Sequence, residues 1–208
     1  MIINAALGTA VASGYFRNNT IGNSGIANSG SSGNDPGLDV ESNGGGDLTI
    51  KVDSNQMYQW GSNGAGFLVQ AGATSGNPTA VNATITNNTI AQPGTFAVAS
   101  NAQGFQLNNG TTSGENFTTC LLFSGNVLNG SGTGAGGDAR FRQRFDTKVQ
   151  LPGYTGPQDG VTGSPTLAQF TQGLNPTGPP SVTSVSSTAG GGGFFNTSGG
   201  ANCALPGF

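Results

Sequence analysis

The feature that most constrains the fold of this chain is a short pattern that occurs four times. Each copy has an apolar residue, two further positions, an asparagine, one position and a second apolar residue. The asparagines lie 36, 33 and 38 residues apart, and they are Asn19, Asn55, Asn88 and Asn126. A second pattern, Gly-apolar-x-Val or Leu, falls between consecutive copies, at 37–40, 66–69 and 104–107. Two patterns that alternate in fixed order are typical of a repeat protein whose units stack.

The residues before each asparagine alternate between two faces with the period of a β-strand. Three, five and seven positions before the asparagine the side chains are mostly apolar, as with Val52, Ile50 and Leu48 in the second copy. The positions between them are mostly polar, as with Asp53 and Lys51. The sequence therefore predicts four half-buried strands, each followed by its asparagine.

The asparagine lies out of phase with the apolar face, and the apolar residue two positions later restores the phase. This break predicts a sharp corner between two strands. Asparagine is favoured there because it tolerates a left-handed backbone and its amide both donates and accepts hydrogen bonds. Stacked corners predict a ladder of the four amides, in which each hydrogen bond contributes about 1 kcal/mol.

The corner followed by Gly-apolar-x-Val resembles the repeat of right-handed parallel β-helices, as in the pectate-lyase-like scaffold and in bacterial secreted or surface repeat proteins. The resemblance covers residues 12–152 and implies an all-β, right-handed parallel β-helix. The coils of these β-helix proteins are shorter than the 33 to 38 residues between the asparagines of this chain. The Gly- and Ser-rich stretches at 28–36, 72–78 and 108–116 are therefore expected to project as loops. The alternative is an antiparallel sandwich, which does not explain why the phase breaks at the same asparagine.

The pattern changes after Asn126. Residues 139–149 alternate charged and apolar side chains and predict one strand. Residues 164–173 predict a short amphipathic helix, with Ser164 as N-cap and Pro165 at its first position. We therefore expect parallel coils, a C-terminal cap and a Pro/Ser/Gly-rich tail, over 1–138, 139–175 and 176–208.

No comparable cap precedes the first coil, whose open end would be an exposed edge. The chain is therefore expected to be the C-terminal part of a longer β-helix, or to self-associate through this uncapped N-terminal coil. A short cap built from residues 1–9 is the remaining alternative.

Composition limits the functional classes. Gly accounts for 38 of 208 residues and charged residues for 7%, but the low net charge of −3 and the regular Val, Ile, Thr and Phe favour folded β-structure over disorder. The absence of histidine excludes Ser-His-Asp and Cys-His catalysis. Mild acidity argues against nucleic acid as a partner, and no apolar run is long enough for membrane insertion.

Acidic residues are concentrated between positions 35 and 53, and Asp39, Glu41 and Asp53 fall on outward positions. Calcium takes six to eight oxygen ligands, so these three carboxylates with loop carbonyls predict a weak calcium site. A solvated acidic face is the alternative. Glycoside hydrolases use paired carboxylates, but the sequence assigns no such pair and no catalytic residue, so an enzyme is not favoured.

Two sets of side chains are candidates for ligand binding. Arg140, Arg142 and Arg144 form a basic stripe that suits a carboxylated or sulfated polysaccharide, although such charges also protect a terminal strand edge. Tyr58 and Trp60 follow the second corner, where aromatic rings either stack on sugars or fill the corner.

The chain has two cysteines, of which Cys120 points outward in the last regular coil and Cys203 lies in the tail. A disulfide between them would hold the tail across that coil and close a loop of about 80 residues, which contributes roughly 4 kcal/mol. Two unrelated free thiols are the alternative.

These observations predict a structural or adhesive rod segment of a secreted or cell-surface bacterial protein, with a polysaccharide or cell-surface glycan as its partner. The alternative is a carbohydrate-active enzyme or carbohydrate-binding module on the pectate-lyase-like scaffold. A trimeric phage fibre and an ice-binding protein are further alternatives, although the ranks of Thr-x-Thr that ice binding needs are missing. The fold alone does not choose among these functions.

Overall fold

The structure is a computed structural model of the chain. It describes residues 1–4, 10–31, 33, 35–61, 65–72, 80–98, 102–133, 137–188, 191–197 and 203–207. These residues form three parallel sheets that stack as a β-solenoid, with two short helices, α1 (Thr95–Val98) and α2 (Leu167–Leu174). The predicted all-β parallel solenoid is confirmed.

Two sheets of six parallel strands run the length of the solenoid, and strands are numbered in chain order. Sheet A contains β1 (Ile2–Asn4), β4 (Leu38–Ser42), β7 (Ala65–Ala71), β10 (Gln103–Asn109), β12 (Ala139–Phe145) and β14 (Val182–Thr188). Sheet B contains β2 (Val11–Arg17), β5 (Asp47–Asp53), β8 (Val81–Thr86), β11 (Thr118–Ser124), β13 (Lys148–Gln150) and β15 (Gly193–Phe195).

A third, narrower sheet completes the turns. Sheet C contains β3 (Thr20–Ile21), β6 (Gln56–Met57) and β9 (Thr89–Ile90). Three successive turns therefore contribute a strand to every sheet. Two isolated parallel bridges extend sheet C, from Thr89 to Val127 and from Val127 to Gly178.

The register of sheet B confirms the predicted strands and their inward faces. Gly14, Ile50, Ala83 and Leu121 lie side by side on β2, β5, β8 and β11. Inside the solenoid, Phe105 of sheet A packs against Phe123 of sheet B with 4.5 Å between ring centroids. The alternation read from the sequence works because one face of each strand packs against the common core.

The C-terminal part of the chain differs from the prediction. Residues 139–149 form two strands, because β12 ends at Phe145 with a left-handed φ of 60° and β13 begins at Lys148 in the other sheet. The solenoid also does not end at residue 138. Strand β14 pairs with β12 and β15 pairs with β13, so the segment predicted as a tail adds another layer to sheets A and B.

The helix predicted at 164–173 begins later, at Leu167. Thr166 is its N-cap, since the Thr166 hydroxyl accepts from the Gln169 amide and the Gln169 side chain accepts from the Thr166 amide. Because of this reciprocal capping the helix begins after Thr166 and not after the predicted N-cap Ser164, which precedes a cis proline. The helix lies beside β11 and β14.

The predicted loops are placed only in part. Residues 73–78 of the second stretch lie outside the described part of the chain, and the third stretch begins inside β10. Each corner has its left-handed residue one position earlier than predicted. These residues are Asn18, Ser54, Asn87 and Gly125, each directly before a ladder asparagine.

Candidate functional site

The asparagine ladder runs through the buried corner between sheets B and C. Asn55, Asn88 and Asn126 are each at most 1% exposed, whereas Asn19 is half-buried. The Nδ2 of Asn55 donates to the Oδ1 of Asn88 at 2.9 Å, and the Nδ2 of Asn88 donates to the Oδ1 of Asn126 at 2.9 Å. The same Oδ1 atoms accept from the backbone amides of the preceding asparagines at 3.0 Å. Every amide in the ladder therefore points the same way along the axis.

The ladder has a fifth member that sequence reasoning missed. The Nδ2 of Asn126 donates to the Oδ1 of Asn175 at 3.2 Å, and the backbone amide of Asn126 donates to the same atom at 2.7 Å. Asn175 lies 49 residues after Asn126 and directly after α2. The apolar-x-x-Asn-x-apolar pattern is not repeated around it, so only the stacking identifies it.

The predicted disulfide is present between Cys120 and Cys203. From Cys203 the chain runs back across the outer face of sheet B, and the Tyr15 hydroxyl donates to the carbonyl oxygen of Pro206 at 3.1 Å. We call residues 203–207 the strap. It connects β11 to β2, which are three strands apart in sheet B.

Residues beneath the strap are shielded although they point outward. Thr84 lies in register between Lys51 and Leu122, and it is 3% exposed. Within the described residues, its Oγ1 has no hydrogen-bond partner. Lys51 and Leu122 on either side of Thr84 are half-buried, so only part of this face of sheet B is screened.

The predicted calcium site is not assembled. Asp39 and Glu41 lie on the outer face of β4 in sheet A, whereas Asp53 lies at the end of β5 in sheet B. Asp53 is instead bound within its own sheet, because its Oδ1 accepts from the Thr86 hydroxyl at 2.6 Å and from the Asn87 amide at 3.1 Å. Burial alone would raise the pKa of Asp53, but these hydrogen bonds outweigh it and lower the pKa. No cluster of three metal-ligating side chains is present among the described residues.

The acidic pair on β4 has an unusual environment. Asp39 is 6% exposed, and its Oδ1 is buried without a hydrogen-bond partner among the residues that the structure describes. Burial raises the pKa of Asp39 to about 8, and the hydrogen bond and negative charge of Glu41 add to this effect. Asp39 is therefore largely protonated near neutral pH.

The three predicted arginines lie together on the outer face of β12. Burial lowers the pKa of Arg142 to about 10, and repulsion from Arg140 and Arg144 adds to this effect. Burial and repulsion from Arg144 also lower the pKa of Arg140, whose Nε is buried without a partner. No carboxylate forms an ion pair with these arginines within the described part of the chain. Lys148, which follows them in sequence, lies on sheet B.

The acidic pair and the arginines share one face, which sequence reasoning did not reveal. Sheet A places one outward row in register, and it contains Glu41, Gln70, Asn108 and Arg142. The neighbouring outward row contains Asp39, Leu68, Gln106 and Arg140. Strands β4 and β12 are three spacings apart, so the opposite charges are separated by about 14 Å.

Of the two roles considered for the aromatic rings of Tyr58 and Trp60, stacking on sugars is wrong for Trp60. Trp60 is 1% exposed and packs over Gly66 in the core. The two residues are so close that a Cβ at Gly66 would lie 2.8 Å from the indole ring of Trp60. Tyr58 is half-buried, and its hydroxyl donates to Gln56 at 3.2 Å. The indole fills the corner, which was the alternative considered for these rings.

The N-terminal end of the solenoid carries an apolar pocket of about 260 Å³. Ala12 and Gly14 line it, above Leu48 and Ile50 of the next turn. Among the described strands, β1, β2 and β3 each pair on one side only. Val11 nearby is 80% exposed.

Within the described residues, no helix is both long and apolar enough to span a membrane. Comparisons with protein-family models, with curated proteins and with solved structures gave no match for this chain.

Proposed function

We propose that this protein is a structural or adhesive rod segment of a secreted or cell-surface bacterial protein. The observation that carries the proposal is the uninterrupted stack. Five asparagine amides connect successive turns, and the strap ties the end of the described chain to the first turn of sheet B. A solenoid stabilised in this way suits a mechanical role, because the neighbouring turns resist local unfolding of any one turn.

The disulfide supports the proposed location. Structural disulfides form and persist in oxidising compartments and are rare in the cytosol. The bond between Cys120 and Cys203 spans 83 residues and holds the strap in place.

The alternative of a carbohydrate-active enzyme has less support. Trp60, a candidate for stacking on sugars, is buried, and the acids of the predicted calcium site lie on two sheets. The likeness to pectate-lyase-like proteins supports the proposal only at the level of the scaffold.

The test is the location and redox state of the native protein in its source cells. An antibody against the chain is expected to label intact cells, and thiol alkylation is expected to leave both cysteines unmodified until a reductant is added. Deletion of the gene is expected to reduce attachment of the cells to a polysaccharide-coated surface. Labelling only after permeabilisation, with both thiols reduced, would contradict the proposal.

A further inference from the structure

The outer face of sheet A is charged in a self-complementary way. In its two outward rows, carboxyls on β4 and arginines on β12 lie on opposite sides of the uncharged side chains of β7 and β10. Glu41, Gln70, Asn108 and Arg142 are all half-buried, and the three uncharged or acidic members also make hydrogen bonds within the chain, Glu41 and Gln70 with Asn43 and Asn108 with Gln106. The arginines have no carboxylate partner within the described chain.

The register decides which symmetry matches these charges. Consider a two-fold axis that is parallel to the strands and lies midway between β7 and β10, above the face. It places β4 of one copy opposite β12 of the other and leaves the position along each strand unchanged. Since Glu41 and Arg142 are in one register row, Glu41 of each copy then lies opposite Arg142 of the other.

We propose that the outer face of sheet A binds the same face of a second copy of this chain about this two-fold axis. The Glu41–Arg142 contact forms twice, as in any isologous interface. Gln70 of each copy faces Asn108 of the other, where amide groups donate and accept between them. In the neighbouring row, Arg140 lies opposite Asp39, which is 6% exposed, so the charge pairing of the interface depends on Glu41 and Arg142.

A second copy explains the face better than an acidic polysaccharide does. A polyanion bound along the rows would meet the carboxyls of β4 about 14 Å from the arginines and would be repelled there. A second copy pairs both ends at once, because its own charges are reversed by the axis. Charge pairing of this kind gives specificity and orientation more than affinity, so we expect a dimer that weakens with salt.

This inference stands apart from the proposed function. It concerns the purified chain in solution, whereas the proposed function concerns the location of the native protein. Failure of one test therefore leaves the other unaffected.

The test is a charge exchange followed by sedimentation velocity over a concentration series at low salt. Wild type is expected to form a dimer. Glu41→Arg places a second arginine opposite Arg142, and Arg142→Glu places a second glutamate opposite Glu41. Each variant alone is therefore expected to dimerise at least about tenfold more weakly. An equimolar mixture of the two variants is expected to restore the dimer, because both contacts then join opposite charges.

The mixture also controls for folding, since a misfolded variant would not restore the dimer. Lys148→Glu changes the net charge as Arg142→Glu does, but on sheet B, and it is expected to dimerise like wild type. A wild type that stays monomeric throughout the series would overturn the proposal, and so would a mixture that stays as weak as the single variants. Binding of dextran sulfate by a monomeric wild type, and its loss in Arg142→Glu, would assign the arginines to an anionic polysaccharide instead.

Discussion

Tyr15 and Pro206 are 191 residues apart in the sequence, and a hydrogen bond of 3.1 Å joins the Tyr15 hydroxyl to the Pro206 carbonyl oxygen. The contact brings the strap back to the first turn of sheet B. With the disulfide at its other end, the strap runs across the strands of sheet B, from β11 to β2. Separation of these turns therefore requires the strap to detach.

Loss of the disulfide is expected to destabilise the protein. Cys203→Ser should lower the free energy of unfolding by about 2–4 kcal/mol, because the unfolded chain is no longer constrained by the loop. Chemical unfolding monitored by the fluorescence of Trp60 measures this. Wild type in reductant is the matched control and should unfold at the same denaturant concentration as the variant. Equal midpoints for oxidised wild type and the variant would show that the strap adds no stability.

The buried centre of the asparagine ladder is expected to matter more than its end. Asn88 donates to the Val52 carbonyl at 3.0 Å and to Asn126, and it accepts from Asn55. Asn88→Ala should cost about 3 kcal/mol or more, since each buried polar group left without a partner costs about 1–3 kcal/mol. Asn19→Ala, at the half-buried end, should cost about 1 kcal/mol. Equal losses in thermal or chemical unfolding would contradict a cooperative ladder.

The stability of the monomer is expected to depend on pH through Asp39. Its pKa is about 8 in the folded chain, against an ordinary value of 3.8. The folded state thus binds more protons between these values, and stability falls as the pH rises through this window. Asp39→Asn imitates the protonated acid and should raise the stability by on the order of 2 kcal/mol at pH 8, with little effect at pH 4.

Asp53→Asn is the matched control for this pH dependence. The pKa of Asp53 is lowered in the folded chain, so its contribution is present above the unfolded pKa and is lost as the pH falls through the folded value. This variant should therefore be less stable than wild type at pH 7 and should converge with it in acid. Parallel curves of melting temperature against pH for wild type and Asp39→Asn would refute the assignment.

Two glycines are expected to respond oppositely to alanine. Among the described residues, no atom beyond the two adjacent positions lies within 4 Å of a Cβ built on Gly14, which occupies an inward position on strand β2. Gly14→Ala should stabilise the protein by about 0.5–1 kcal/mol, because glycine loses more backbone entropy on folding. Gly66→Ala should destabilise it, since its Cβ would meet the Trp60 ring at 2.8 Å. Differential scanning calorimetry decides the sign of each change.

Local patterns in the sequence were sufficient to predict the repeating part of the fold. The period of two assigned Ile50 and Val52 to the core and Lys51 to the outer face, because strand geometry alone alternates side chains. The same reasoning placed Cys120 outward, where it bonds to Cys203. The asparagine corners were predictable because the break in phase occurs four times at the same residue type.

Other features depended on which residues the turns bring side by side. The intervals between corners vary from 33 to 49 residues, so the sequence alone did not show that Asn175 stacks on Asn126 or that Glu41 shares a row with Arg142. Trp60 follows a corner in the sequence, and only packing against Gly66 decides that it is core. Side-chain direction along a strand is a local property that the sequence determined, whereas neighbours across strands depend on loop lengths and were decided by the tertiary structure.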